Sequence, residues 1–249
     1  PDIMGANGVV HIVDAVLLPS LYKSALGTIV EVPLFRKTFS TLTAALVKAE
    51  LVETLLGAGP FTVFAPDNAA FEAAGITSLD GLSKEDLTPI LLYHVMNSKV
   101  NYIDLPVTTA AAPAAITTLG GDFYLSNRGG DAGVFINGAV KVTGVDFEKS
   151  NGVIHTIDQT LVPASMSIAG KATELGFSKL VEALVEAGLD GTFAGEGDFT
   201  VFAPTNDAFD ALYTTLGVTG PAEIDDATLD AVLKYHVIGA RVFSSDLED

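Results

Sequence analysis

Four histidines are the side chains of this sequence best suited to acid–base chemistry or to metal binding near neutral pH. They form two pairs with matching neighbours. His94 and His236 each follow a tyrosine, and His11 and His155 each follow an Asn-Gly dipeptide by a few positions. A single active site more often has one constellation in one copy. Histidines that recur together with the surrounding sequence are more typical of structural residues.

An aspartate stands three positions after His11 and after His155, and each such pair is a candidate histidine–carboxylate dyad. These aspartates are Asp14 and Asp158. Both pairs lie in segments with the composition of a β-strand, where side chains three positions apart point to opposite faces. The spacing therefore predicts that neither strand forms a catalytic dyad by itself.

The pairs Tyr93–His94 and Tyr235–His236 each stand where a helical pattern ends. Two interpretations are open for them. The histidine can be a satisfied, partly buried residue or a favourable partner of the helix C-terminus, or the pair can contact an external ligand. We favour the structural interpretation and keep Tyr93, His94, Tyr235 and His236 as a candidate adhesion or structural motif.

The sequence lacks the common catalytic signatures. It contains no Gly-x-Ser-x-Gly elbow, no His-Glu-x-x-His helix, no phosphate-binding loop and no cysteine. We therefore predict no enzyme, no cofactor and no metal site. An enzyme would require a cleft that gathers histidines and carboxylates from separate segments.

The chain is strongly acidic, with a formal net charge of −18. This charge argues against nucleic-acid binding, which depends on Lys and Arg to neutralise phosphates. No apolar run is long enough to span a bilayer. Acidic loops at 225–226 and 246–249 leave open an alternative function, the binding of Ca²⁺, a glycan or a small molecule.

Long internal repeats dominate the sequence, with copies about 140 residues apart. Three motifs recur in a consistent order. The paired segments are Phe61–Phe71 with Phe199–Phe209, Tyr93–Val95 with Tyr235–Val237, and Asn7–Asp14 with Asn151–Asp158.

The phase of the repeat predicts three parts. The N-terminal segment (residues 1–20) resembles the end of a repeat unit. The central segment (residues 21–164) resembles a whole unit, and the C-terminal segment (residues 165–249) resembles the beginning of one. Such a window is expected from a long array. We expect exposed strands in both flanking segments, and a minority hypothesis is that copies associate end to end, one chain's strand completing a neighbour's sheet.

Within the central segment, helical patterns come first and strand patterns second. Apolar spacing predicts a helix between Ser40 and Gly57, Asp67 or Asn68 is expected to cap a short helix, and Ser83 begins a capping-box sequence. Residues 115–161 read as short strands separated by turns at 120–121, 128–131, 137–138 and 151–152. This order predicts an α+β unit with a mainly antiparallel sheet.

The repeated motifs resemble those of the fasciclin domain. Thr-Val-Phe-Ala-Pro at 62–66 and 200–204 resembles its first conserved box, the segments at 7–19 and 151–163 resemble its second, and the Tyr-His pairs resemble the motif between them. The resemblance implies a β-sandwich-like wedge with flanking helices, in tandem. The residues that carry it, besides the Tyr-His pairs, are Thr62, Phe64, Pro66, Asn68, Phe71, Thr200, Phe202, Pro204, Asn206, Phe209, Asn7, Gly8, His11, Asp14, Asn151, Gly152, His155 and Asp158.

The resemblance also implies a non-enzymatic, extracellular module used in adhesion or matrix assembly. We expect a secreted or surface-displayed protein of prokaryotic type, because the chain is acidic and has no cysteine or Asn-x-Ser/Thr site. Part of an extracellular filament is one form that such a protein could take. The expected partners are other fasciclin domains of the same or neighbouring chains, and other surface proteins or glycans.

Overall fold

A computed structural model describes residues 2–108, 112–127, 129, 133–195 and 197–246. The predicted α+β class is confirmed, with helices first and strands second in the central segment. The helices of this segment are α1 (Ser20–Ala25), α2 (Glu31–Phe35), α3 (Ser40–Lys48), α4 (Val52–Leu55), α5 (Asn68–Ala73) and α6 (Lys84–Leu92), with 3₁₀ turns at Lys37–Phe39 and Tyr102–Asp104. Its strands are β3 (Phe61–Pro66), β4 (Val95–Met96), β5 (Ala114–Thr118), β6 (Gly121–Asn127), β7 (Val134–Ile136), β8 (Val140–Lys149) and β9 (Gly152–Ile157).

The flanking segments form separate small elements. The N-terminal segment forms a hairpin of β1 (Asp2–Gly5) and β2 (Gly8–His11). The elements of the C-terminal segment are α7 (Ile168–Glu174), α8 (Ser178–Glu186), α9 (Asp190–Ala194), β10 (Thr200–Val201), α10 (Asn206–Leu216), α11 (Asp226–Tyr235), β11 (Val237–Ile238) and 3₁₀ turns at Pro221–Glu223 and Ser244–Asp246. None of the helices in the described ranges is both long and apolar enough to cross a bilayer.

The predicted helix from Ser40 to Gly57 is wrong, because the chain forms two helices there, α3 and α4. Glu50 adopts a left-handed conformation (φ 58°). The amides of Glu50 and Leu51 then bond to the carbonyls of Val47 and Leu46, which is the Schellman pattern that ends a helix. A glycine is usual at this position, and Gly188 (φ 66°) occupies it in the C-terminal segment.

The predicted caps and one predicted turn are confirmed. Asp67 accepts a hydrogen bond from the Ala70 amide at the start of α5, and Ser83 forms a full capping box with Asp86 at the start of α6. Asn137 (φ 50°) and Gly138 (φ 72°) form the turn between β7 and β8. The turn predicted at 128–131 lies, apart from residue 129, outside the described residues.

The central segment contains one seven-stranded sheet with the order β4-β3-β9-β8-β7-β6-β5. All described neighbours are antiparallel except β3 and β9, which run parallel with Phe61 opposite Gly152 and Val63 opposite Ile154. Phe64 of β3 nevertheless packs edge-on against Phe123 of β6, with ring centroids 5.3 Å apart. The ladder therefore curls over itself into a wedge, with one core inside the curl and another beneath the helices.

Gly152 marks the tightest contact of the parallel pair. A Cβ atom at this position would lie 2.2 Å from the Phe61 carbonyl oxygen. Only glycine therefore allows β9 to approach β3 this closely. Asn151, just before it, donates from Nδ2 to the carbonyls of Leu55 and Gly57 and accepts from the Ile29 amide, so one side chain connects three segments.

A third core belongs to the C-terminal segment and is built from its helices, with Leu180, Leu184, Phe209 and Leu233 among its buried residues. The two-stranded sheet β10-β11 covers part of it. Within the described ranges, the hairpin of the N-terminal segment pairs only with itself and does not join β10.

Candidate functional site

His94 lies at the end of α6 and is completely enclosed. Its Nδ1 lies 2.8 Å from the Ile90 carbonyl oxygen, one helical turn earlier, and its Nε2 accepts a hydrogen bond of 2.9 Å from the Leu161 amide. Because Nδ1 faces a carbonyl and Nε2 faces an N–H group, the ring is neutral with its proton on Nδ1. Burial lowers the pKa of His94 to about 4, against the smaller opposing effect of the Ile90 carbonyl.

His155 lies in the middle of β9 and is equally buried. Its Nε2 lies 3.0 Å from the Val100 carbonyl oxygen, and its Nδ1 accepts from the Asp146 amide at 3.3 Å. Its ring also packs on Phe64, with centroids 5.4 Å apart. Burial lowers the pKa of His155, while the Val100 carbonyl and the Asp146 carboxylate act in the opposite direction.

The aspartates predicted beside the histidines have other roles. Asp158 follows the end of β9, and its carboxylate accepts a hydrogen bond of 2.7 Å from the Lys141 amide. The carboxylate nearest to His155 belongs instead to Asp146, whose Oδ1 lies 4.0 Å from Nδ1. Sequence reasoning missed Asp146 because a bulge in β8 brings it there. His11 and Asp14 both lie on the exposed surface of the N-terminal segment.

The two tyrosines of the Tyr-His pairs have very different surroundings. The Tyr93 hydroxyl donates to the Asp122 carbonyl at 3.0 Å and accepts from Nδ2 of Asn137 at 3.2 Å, and the side chain is only 5% exposed. Burial raises the pKa of Tyr93. Tyr235 is 91% exposed. His236 keeps the helical contact of His94, with its Nδ1 2.8 Å from the Val232 carbonyl.

The threonine and the asparagine of the first box form equivalent contacts in both copies. The hydroxyl of Thr62 donates to the Ser98 carbonyl and accepts from the Val100 amide, and that of Thr200 does the same with Ala240 and Val242. Asn68 and Asn206 each accept from the first turn of the preceding long helix, at Thr41 and Lys179. Phe71 and Phe209 are buried, Pro66 ends β3, and Pro204 is partly exposed beyond β10.

A cleft of about 540 Å³ lies between the central and C-terminal segments. Tyr93, Tyr124 and Asn137 line it on one side, and Arg241 and Phe243 line it on the other. It was not visible in the sequence, because its residues come from elements more than 100 positions apart.

Arg241 contacts residues on both sides of this cleft. Its guanidinium stacks over the Tyr124 ring at 3.9 Å, and its Nε and Nη2 both donate to Oδ1 of Asp198. Deeper in the contact, the Ser126 hydroxyl donates to the buried Asp246 carboxylate at 3.0 Å. Two segments that were predicted to be parts of different repeat units thus make specific polar contacts.

The acidic loops do not form a cation site among the described residues. Asp225 accepts from the amide and the hydroxyl of Thr228 and so caps α11. Asp246 is used in the contact with Ser126. No group of three or more His, Asp or Glu side chains with metal-binding geometry occurs in the described ranges. Residues 247–249 lie outside them.

Comparison with known proteins gives consistent matches. A family model of the fasciclin domain matches residues 37–163 and 175–249. Protein sll1483 of Synechocystis sp. is 40% identical over 140 residues, which cover 55% of this chain and 73% of that protein. Human periostin is 29% identical over 252 residues, which cover 98% of this chain and 27% of periostin.

A further sequence relative and a solved structure also match. The transforming growth factor-beta-induced protein ig-h3 of Sus scrofa is 30% identical over 241 residues, which cover 95% of this chain and 32% of that protein. The chain therefore spans about a third or less of the length of periostin and of ig-h3. A solved FAS1 domain pair from the insect cell adhesion molecule fasciclin I covers 80% of this chain and 72% of its own, with 17% identity and a TM-score of 0.45.

Proposed function

The chain belongs to the fasciclin domain family, and on that premise we propose that it is a non-enzymatic structural and adhesion module of an array of fasciclin domains. The observation that carries the proposal is the use of the histidines. In His94 and in His155, both ring nitrogens already bond to main-chain atoms. Neither ring can act as a base or a ligand without breaking a bond that holds the fold together.

The contacts between segments support a tandem arrangement. Fixed geometry between neighbouring domains is what an adhesive array needs in order to carry load. The Arg241–Tyr124 stack and the Ser126–Asp246 hydrogen bond supply such fixed points. We propose the predicted boundaries, with units ending near residues 20 and 164, as the domain limits.

We further propose that the protein acts outside the cell, secreted or displayed on a surface, and that its partners are other fasciclin domains. More specifically, we propose that the protein forms part of a filament or matrix of a prokaryote. The cyanobacterial relative supports the prokaryotic part. The net charge of −18 favours a well-hydrated surface that does not stick to polyanions.

A bead-adhesion assay tests the proposed function. Beads coated with the 249-residue chain are expected to adhere to each other and to glass coated with the same chain. Beads coated with a serum albumin, which is also acidic, serve as the control for charge. Equal behaviour of both bead types at physiological salt would contradict an adhesive role.

Ligand binding is the second candidate function, and the cleft between the segments is the observation that favours it. The cleft combines aromatic rings of Tyr124 and Phe243 with the polar groups of Asn137 and Arg241, a mixture suited to a sugar or a small organic molecule. Calorimetric titration with a glycan panel and with Ca²⁺ tests it. Heat that disappears in a Tyr124→Ala variant would support this function, and no heat from any ligand would exclude it for that panel.

A further inference from the structure

The cleft between the central and C-terminal segments contains polar groups that the fold itself leaves unused. The Asp122 carboxylate is exposed there and has no hydrogen-bond partner among the described residues. Arg241 uses Nε and Nη2 on Asp198, and its Nη1 bonds to nothing in the described part of the chain. The Asn137 side-chain amide donates one of its two N–H groups to the Tyr93 hydroxyl, which leaves the second one available.

Apolar surfaces complete the cleft. Phe243 packs against the turn at Gly138, where an added Cβ atom would lie 2.4 Å from the Phe243 Cβ. The centroid of the Phe243 ring lies 6.3 Å from that of Tyr124. Val162 and Pro163, which follow the last strand of the central segment, add aliphatic surface. Polar groups beside a fixed ring and aliphatic walls match a ligand that has hydroxyl groups along its edges and C–H groups on its faces.

The cleft lies on the outer surfaces of the two segments and does not involve an open strand edge. On the central side it includes residues of β6, which pairs with β5 on one side and with β7 on the other. On the C-terminal side, Arg241 corresponds in the repeat to Lys99, whose side chain is 39% exposed at the surface of the central segment. Arg241 therefore stands at a position that also faces outward in the central segment.

The charges at the cleft disfavour an acidic ligand. Arg241 is the only basic residue that lines the cleft in the described part of the chain, and Asp198 already offsets its charge. The charge of Asp122 is not offset, and the chain as a whole carries −18. A carboxylated sugar is therefore repelled, whereas a cationic ligand meets the guanidinium of Arg241. A neutral ligand avoids both costs, because each of its hydroxyl groups can donate and accept.

We propose that this cleft binds a neutral oligosaccharide and that the bound sugar holds the two segments in one orientation. Hydroxyl groups of the sugar donate to the Asp122 carboxylate and accept from Arg241 and Asn137. Phe243 and Pro163 cover the C–H face of a sugar ring. The cleft volume of about 540 Å³ lies within the range of roughly 300–1,000 Å³ that is typical of ligand pockets. The inference rests on the ligand-binding function proposed above and deepens it by naming the class of ligand.

The holding role follows from the origin of the contacts. Asp122 and Asn137 belong to the central segment, whereas Arg241 and Phe243 belong to the C-terminal segment. A ligand that binds only the arrangement in which both sets of groups meet stabilises that arrangement by mass action. The sugar thereby reinforces the contact that the segments already make through Arg241 and Tyr124.

Calorimetric titration of the 249-residue chain tests the class of ligand. The neutral probes are maltotriose, cellotriose and mannotriose, and the charged probes of similar size are trigalacturonate and the glucosamine trimer. We expect saturable heat from at least one neutral probe, and binding of both charged probes that is weaker by about tenfold or more.

Two outcomes of the titration separate this inference from the function on which it rests. Binding of a charged probe alone would overturn the inference and leave the ligand-binding function standing. Absence of heat from every probe at about 10 mM would overturn both.

Substitutions test whether the sugar binds in the cleft. Asp122→Ala removes a carboxylate that has no described partner, so the thermal unfolding curve should be unchanged. Binding of the neutral probe should weaken by about tenfold or more, because a hydrogen bond to a charged group is lost. Asp80→Ala removes a carboxylate that is also exposed but does not line the cleft, and it is the matched control. Equal affinity of the two variants would overturn the proposed site.

A distance measurement tests the holding role. Val47 and Val185 are exposed, equivalent positions of the repeat, one in each segment, and the chain has no native cysteine. Spin labels on a Val47→Cys/Val185→Cys chain are expected to show a narrower distribution of distances when the neutral probe is bound. The same sugar should leave the distribution unchanged once Asp122→Ala is added. Binding without narrowing would overturn the holding role.

Discussion

The two Tyr-His pairs are locally alike and globally different. In both, the histidine Nδ1 lies 2.8 Å from the carbonyl one helical turn earlier. Only the central pair is enclosed, because its further partners come from the strand-rich part of the segment: Asp122, Asn137 and Leu161. The contact between the histidine and its helix therefore depends only on neighbouring residues. The burial of the Tyr-His pair depends on strands that lie later in the chain.

The largest expected difference between the segments concerns Phe64 and Phe202. Phe64→Ala should lower the free energy of unfolding by about 4 kcal/mol, because the fully buried ring leaves a cavity. Phe202→Ala should cost less than about 1 kcal/mol, since half of that ring already faces solvent. Urea unfolding followed by circular dichroism measures both. Equal losses would mean that the edge of β10 is covered in solution.

The second difference is a pH dependence of stability. Burial lowers the pKa of His94 from an ordinary value of 6.5 to about 4 in the folded chain, so the unfolded chain binds the proton more readily. The contribution of His94 to the free energy of unfolding is fully present above pH 6.5. It falls by about 3 kcal/mol as the pH drops towards 4.

Urea unfolding at pH 7 and at pH 4.5 measures this loss, and a substitution checks its origin. His94→Gln should reduce the pH dependence, although the variant starts from a lower stability. An unchanged slope in His94→Gln would show that other groups cause it.

A third and smaller difference separates the two tyrosines. Tyr93→Phe removes a hydroxyl that bonds to the Asp122 carbonyl and the Asn137 amide, and should cost about 1–2 kcal/mol. Tyr235→Phe should be neutral within about 0.5 kcal/mol because that side chain is exposed. Thermal unfolding of both variants gives the comparison. A neutral Tyr93→Phe would leave the hydroxyl available for the ligand-contact interpretation.

The smallest effect is expected where the two segments meet. Arg241→Ala removes the stack on Tyr124 and an ion pair with Asp198 that is partly exposed, and should cost about 1 kcal/mol or less. Asp198→Asn removes only the ion pair and should cost less again. Raising the salt concentration should shrink the Asp198 effect more than the Arg241 effect. The opposite order would show that the stack contributes little.

Local features of the fold were predictable from the sequence, and so was the repeat. The caps at Asp67 and Ser83 and the turn at Asn137–Gly138 follow from the chemistry of single residues. The break at Glu50 was missed because a glutamate stands where glycine is usual. Alignment with Gly188 of the C-terminal segment was the signal that could have found it.

The candidate site was less predictable. The recurrence of the histidines favoured structural roles, but their partners are carbonyls and amides such as those of Val100 and Leu161, which carry no sequence signature. The cleft around Arg241 depends on how two segments meet, and the position of Asp146 depends on a bulge in β8. None of these follows from the pattern of one segment.

The parallel pair of β3 and β9 has a consequence for synthesis on the ribosome. Phe61 pairs with Gly152, which is synthesised roughly 90 positions later. At about 5–20 residues per second, the delay before this partner exists is on the order of 5–20 s. During that time the edge of β3 is open, while β2, whose sequence resembles that of β9, has already been synthesised. A strand of the neighbouring repeat unit can therefore compete with β9 for this edge, and the pace of translation sets how long that competition lasts.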